Sequence, residues 1–112
     1  MVDPHVLTLW TNDLALARDA DAAGVDRIGL DLEILGKAAR QAGRPTWISP
    51  HRSIDLAPLK SVLNHAKMFV RCNSIHSGTL AEVDEVIAAG VQILMLPNFT
   101  QASQLEQFVQ AV

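Results

Sequence analysis

The sequence predicts an α/β fold of four parallel strand–helix units, half of a (β/α)8 or TIM barrel, and three observations carry that prediction. First, the phrase Ala22-Ala23-Gly24-Val25 returns as Ala88-Ala89-Gly90-Val91, 66 positions later. Each copy follows a helix-prone segment and opens a short apolar run. A glycine at that point supplies the left-handed backbone that ends a helix, and the apolar run suits a strand covered on both faces. Second, apolar runs and helical periodicity alternate in the order β-α-β-(α)-α-β-α-β-α, four units where a complete barrel has eight in about 250 residues. Third, the competing doubly wound sheet usually carries G-x-G-x-x-G after its first strand, and LTLWTNDLA contains no glycine.

Taken in order, His5 to Thr11 is short, apolar and partly β-branched, a first strand. Asn12 or Asp13 can cap the next helix by accepting its free N–H groups. That helix runs from Leu14 to Ala23, with Leu14, Ala17 and Ala20 or Ala22 toward the sheet, and Gly24 ends it. Val25 to Leu32 is the second strand. Its parity puts Ile28, Leu30 and Leu32 on one face, toward the helices. Arg27, Gly29, Asp31 and Glu33 fall on the other, toward a barrel interior or cleft. Ile34 to Ile54 is the least regular region. Gly36 to Ala42 is helix-prone, Gly43-Arg44-Pro45 breaks it, and Thr46 to Ile48 suits a brief extended piece. Asp55 to Ala66 reads as a helix with Leu56, Leu59 and Leu63 at helical spacing. Lys67 to Arg71 is the third strand, and Phe69, Arg71 and Asn73 share a parity. Thr79 or Ser77 can cap a helix from Leu80 to Ala89, whose acidic first turn (Glu82, Asp84, Glu85) suits the positive end of the helix dipole. Val91 to Leu96 is the fourth strand, stopped by Pro97-Asn98. Gln101 to Val112 begins an amphipathic helix with Leu105, Phe108 and Val109 on one face.

Length and composition set the frame. The 112 residues, 49% hydrophobic, allow one domain with a real core. A net charge of −3 gives no general reason to expect nucleic acid or membrane as partner. The single Cys72 excludes an internal disulfide and fits a reducing compartment. The N-terminal stretch has no signal-peptide pattern, and no apolar run approaches the roughly 20 residues of a bilayer span. A cytoplasmic protein is the expectation.

Three groups could carry chemistry. Asp31 and Glu33 lie one residue apart, so a strand would present both on one face. Such a pair can hold a divalent cation, orient water or accept from a substrate hydroxyl, or it can simply pair with Arg27, Lys37 or Arg71. Arg71 and Asn73 follow the third strand. A guanidinium at a strand end matches a carboxylate or phosphate through its two-pronged fork, and the plain alternative is a salt bridge to Asp31 or Glu33. The third group is the basic stretch of Lys37, Arg40, Arg44 and Arg52 with His51. It suits an anionic ligand, or it is an ordinary solvated surface. His51 is a candidate acid–base group, one histidine in a loop. His5, His65 and His76 show no telling spacing. Cys72 has the parity of a small core residue, and Trp10 and Trp47 read as packing residues.

Asp31-Leu32-Glu33 after an apolar strand, then Val70-Arg71-Cys72-Asn73, then Ala89-Gly90-Val91 leading to Leu96-Pro97, resemble the HpcH/HpaI aldolase and citrate lyase beta-subunit family. There the pieces read like D-L-E-D, V-R-x-N and A-G-x-x-x-x-x-L-P-K. The resemblance covers the chain from about Ala22 onward, and it implies the N-terminal half of a (β/α)8 barrel. The implied activity makes or breaks a carbon–carbon bond beside a keto acid or acyl-thioester, coenzyme A being one carrier. It also implies a divalent cation, usually Mg²⁺, acting as Lewis acid on the keto acid or enolate. By position, Arg71 would bind the substrate carboxylate or enolate oxygen. Asp31 and Glu33 would orient metal waters or substrate, and Asn73 and Asn98 would complete the substrate rim.

Four departures stand out. Ile34 replaces a frequent second Asp, and Asn98 a frequent Lys. Ile34 to Lys37 offers no His. The metal-binding Glu and Asp of strands five and six would lie beyond Val112, so no metal ligand is assigned among the matched positions.

The chain is therefore expected to be one partial barrel domain, residues 1–112, truncated after its fourth unit, from a homo-oligomeric metal-dependent lyase, and inactive alone. The alternative is a non-catalytic half-barrel that self-assembles or binds an anion.

Overall fold

The computed structural model describes residues 5–33 and 51–112. The expected pieces at Gly36 to Ala42 and Thr46 to Ile48, with Lys37, Arg40, Arg44 and Trp47, lie outside the described residues. The elements run β1 (Thr8–Trp10), α1 (Leu14–Ala23), β2 (Arg27–Asp31), a 3-10 turn (Ser53–Asp55) leading into α2 (Leu56–Val62), β3 (Lys67–Arg71), α3 (Thr79–Ala88), β4 (Ile93–Met95) and α4 (Ala102–Ala111). The four strands form one parallel sheet in the order β1-β2-β3-β4. That order never reverses. Among the described residues, α1, α2 and α3 all pack on one face of the sheet, the winding of a barrel and not of a doubly wound sheet.

The two echoed phrases end their helices in the same way. Gly24 (φ 98°) and Gly90 (φ 91°) take the left-handed conformation. Val25 N–H reaches back to the Ala20 carbonyl and Gly24 N–H to that of Asp21; Val91 and Gly90 do the same to Val86 and Ile87. Both are Schellman caps, which recover carbonyls that the helix end would otherwise strand.

Side-chain parity divides the sheet as the sequence reading expects. Ile28, Leu30, Met68 and Val70 are fully buried against Ala17, Leu56, Leu59, Val83 and Val86 of the helices in one continuous core. Each fully buried aliphatic side chain contributes about 1.5–3 kcal/mol. The opposite face carries Trp10, Gly29 and Phe69 in one row across β1, β2 and β3. The Trp10 and Phe69 rings are 5.2 Å apart, and the Arg27 guanidinium lies 5.5 Å from the Phe69 centroid.

Gly29 makes this row possible. A Cβ there would sit 2.7 Å from Trp10 Cε3 and 2.9 Å from two further ring carbons. Gly29→Ala is expected to push Trp10 off β2 and cost about 1–2 kcal/mol net of the entropy an alanine saves in the unfolded chain. The melting temperature should fall and the Trp10 fluorescence should change. A variant that melts with wild-type would show that the ring moves aside freely.

Several boundaries differ from expectation. β1, β2 and β4 are shorter than the apolar runs that announced them. On α1, Ala17 faces the core and Ala20 packs at its edge, whereas Leu14 is 39% exposed. The inward place goes to Asp21, only 6% exposed. Its carboxylate accepts the backbone N–H groups of Asn64 (2.9 Å), His65 (2.8 Å) and Ala66 (2.6 Å). This capture explains why the expected helix does not reach Ala66. Leu63 is already extended (ψ 132°), and the N–H groups after it turn to Asp21. Asp13 caps α1 by accepting from Leu16 N–H at 3.0 Å, as expected. Neither Thr79 nor Ser77 caps α3. Gly78 holds that place, and Thr79 Oγ1 accepts from His76 N–H instead. On α4 only Phe108 is buried; Leu105 and Val109 are 41% and 64% exposed, because α4 packs mainly against α3.

Candidate active site at the strand ends

β2 and β3 are paired so that Asp31 stands beside Arg71 at the C-terminal end of both strands. In a barrel this is the end that carries chemistry. Arg71 forks onto Asp31, with Nε donating to Oδ1 at 3.0 Å and Nη2 to Oδ2 at 2.5 Å. Its Nε also lies 3.4 Å from Glu33 Oε2. The guanidinium is held above its usual pKa, first by the hydrogen bond to Asp31, with burial opposing.

β2 ends at Asp31, so Glu33 reaches the rim through a turn and not as the next outward residue of a strand. Asp31 Oδ1 accepts Glu33 N–H at 3.1 Å, which shapes that turn. Glu33 is 2% exposed. Asn98, just past β4, donates from Nδ2 to Glu33 Oε1 at 2.9 Å. Asn98 has φ 55°, a left-handed backbone that asparagine tolerates better than most residues. Asp31, Glu33, Arg71 and Asn98 therefore converge from three strand ends, and the salt bridge weighed in the sequence reading is present within the rim.

Asn73 is anchored to α3. Its N–H and its Nδ2 donate to the Glu82 carboxylate at 2.7 and 2.8 Å. Glu82, expected only to complement the helix dipole, also meets His76 Nε2 at 3.2 Å. His76 Nδ1 accepts from Gly78 N–H, so Nε2 carries the proton that goes to Glu82. Cys72 is buried, as its parity implied, and its thiol is pushed up to about 12, first by burial and then by the Glu82 charge. A thiol in that state is inert as a nucleophile at neutral pH.

His51 stood at the margin of the sequence reading, and the structure brings it to the centre. It is 6% exposed, and its Nδ1 accepts Asp31 N–H at 3.0 Å. Among the described residues no group of three or more His, Cys, Asp or Glu side chains is placed to hold a metal ion. Asp31 and Glu33 spend oxygens on Arg71 and on their own turn, so the described residues do not by themselves fit a resident divalent cation. No described helix is long and apolar enough to cross a membrane.

Four parallel strands alternating with helices on one face of the sheet, with an acid–arginine cluster at the strand C-termini, make an α/β fold consistent with half of a (β/α)8 barrel. Residues 6–112 match the HpcH/HpaI aldolase/citrate lyase family model, and the chain belongs to that family, whose members are lyases. No curated protein and no solved structure matches this sequence.

Proposed function

We propose that this chain supplies the substrate-anchoring rim of a carbon–carbon lyase acting on a keto acid or an acyl-thioester, with coenzyme A as a carrier in the second case. The observation that carries this reading is the Arg71 fork. Asp31 and Glu33 hold Nε and Nη2, Nη1 makes no hydrogen bond among the described residues, and the side chain is 33% exposed. An oriented, partly exposed guanidinium prong at a barrel's catalytic end suits a planar carboxylate or enolate oxygen.

In retro-aldol cleavage the substrate hydroxyl gives up its proton and becomes the carbonyl of the leaving fragment, while the electron pair of the broken carbon–carbon bond stays on the α-carbon, delocalised onto oxygen as an enolate. Arg71 would hold that developing charge, Asp31 and Glu33 would keep the fork aimed, and Asn98 would fix Glu33. Asn73 would line the rim from β3, steadied by Glu82. The cluster of two carboxylates and one guanidinium carries one net negative charge, and an arriving substrate carboxylate adds another. That imbalance supports a divalent cation, Mg²⁺ in the family resemblance, joining from ligands outside the described residues. When bound it would supply Lewis-acid polarisation of the keto oxygen.

The test is a cleavage assay on the natural gene product, with 4-hydroxy-2-keto acids and β-hydroxyacyl-CoA thioesters, with Mg²⁺ and with EDTA. Release of a keto acid or an acetyl thioester, lost in EDTA, is expected. A folded protein that cleaves no member of either class under any metal would overturn the reading.

A further inference from the structure

We propose that His51 is the positioning residue of this rim: as a neutral imidazole accepting the Asp31 N–H, it sets the angle at which Asp31 presents its carboxylate to Arg71. This rests on the reading of Arg71 as an anion anchor.

β1 is three residues long, and the last bond of its ladder to β2 runs from Thr11 N–H to the Gly29 carbonyl at 3.1 Å. Residues alternate in a parallel ladder, so the next β2 donor on that edge is Asp31 N–H. β1 pairs no further than Trp10 with Gly29. The Asp31 N–H goes instead to His51 Nδ1 at 3.0 Å, and both residues are buried.

The consequence is chemical. Asp31 has its N–H held by His51, its Oδ1 shared between Glu33 N–H and Arg71 Nε, and its Oδ2 on Arg71 Nη2. The backbone bond is the one link in this set on the β1 side of β2. It fixes the Asp31 backbone, and through it the plane of the fork. An acceptor is required, so Nδ1 carries a lone pair and the proton resides on Nε2. Asparagine places its Oδ1 the same number of bonds from the backbone as Nδ1. Leucine has similar bulk and no acceptor, and glutamine sets its oxygen one bond too far.

The experiment compares wild-type, His51→Asn, His51→Gln, His51→Leu and Arg71→Lys in the full chain. Two readouts are used: the NMR signal of Arg71 Nε–H, which reports the fork, and calorimetric titration with oxalate, a planar mimic of a keto-acid enolate. Wild-type imidazole nitrogen shifts should show Nδ1 unprotonated. His51→Leu should move or broaden the Arg71 Nε–H signal and weaken oxalate by about tenfold, as losses of outer-shell hydrogen bonds typically do, and His51→Asn should restore both to within about threefold. An unchanged Arg71 Nε–H signal in folded His51→Leu, or a protonated Nδ1 in wild-type, overturns the proposal whatever oxalate does. Should His51→Leu fail to fold, equal behaviour of the Asn and Gln variants overturns it. Oxalate that ignores both wild-type and Arg71→Lys, while the Arg71 signal still answers to His51, overturns the anchor reading and upholds the positioning role.

Discussion

Arg71→Lys in the natural gene product is expected to lower kcat/KM by about 10²–10³-fold, the usual effect of removing one oriented donor from a developing oxyanion. The lysine keeps a positive charge beside Asp31 and Glu33 but cannot fork. It cannot hold both Asp31 oxygens and still offer a fixed prong to substrate. Arg71→Ala is the less clean test. Glu33 is 2% exposed and its carboxylate lies 3.4 Å from Arg71 Nε, so removing the guanidinium takes an ion-pair partner from a buried carboxylate. Breaking such a pair from one side costs about 3–5 kcal/mol. Lost turnover in Arg71→Ala would thus mix lost anchoring with lost stability. A folded Arg71→Lys with wild-type kcat/KM would remove Arg71 from the site.

Asp21→Asn is expected to destabilise the chain by about 2–3 kcal/mol, on the order of 10 °C in melting temperature. The carboxylate takes three backbone N–H groups at 2.6–2.9 Å. An amide offers one acceptor oxygen and turns its own N–H groups toward at least one of those donors. The same contacts set a pH dependence. Asp21 is held below its ordinary pKa of 3.8, first by the Ala66 N–H and then by that of Asn64, with burial opposing. A carboxylate with a depressed folded pKa contributes stability that is complete above its unfolded pKa. That contribution fades as pH falls through 3.8 toward the folded value. Wild-type should therefore lose melting temperature on the acid side of that point, and Asp21→Asn should lose less over the same range. Parallel acid-side curves would mean that other carboxylates govern acid unfolding.

Some of this was legible in advance because its physical basis is local. The Ala-Ala-Gly-Val echo announced two helix ends, since only a few residues reverse a helix through a left-handed backbone and glycine does so without strain. The alternation in Val25 to Leu32 and the run Lys67 to Arg71 announced strands with a helix-facing side, since strand parity repeats every second residue. The pairing of Asp31 and Glu33 with Arg71 was legible as one of two readings, because opposite charges at adjacent strand ends of one parallel sheet must meet something. Leu14 was misplaced for a related reason. Helical periodicity weighs apolar residues, and the inward position on α1 belongs to a carboxylate.

What tertiary structure alone decided was which donor each buried acceptor receives. Asp21 meets Ala66 across 45 positions, His51 meets Asp31 across 20, and Asn98 meets Glu33 across 65. No periodicity or spacing encodes such partners. They are settled when the sheet order β1-β2-β3-β4 brings strand ends together and β1 stops short, leaving the Asp31 N–H to be taken by whatever side chain the returning chain delivers. The sequence by itself determined the elements, their winding and the charges at the rim. The assembled sheet determined which of those charges hold one another, because buried polar groups must be satisfied by neighbours in space, whatever their distance along the chain.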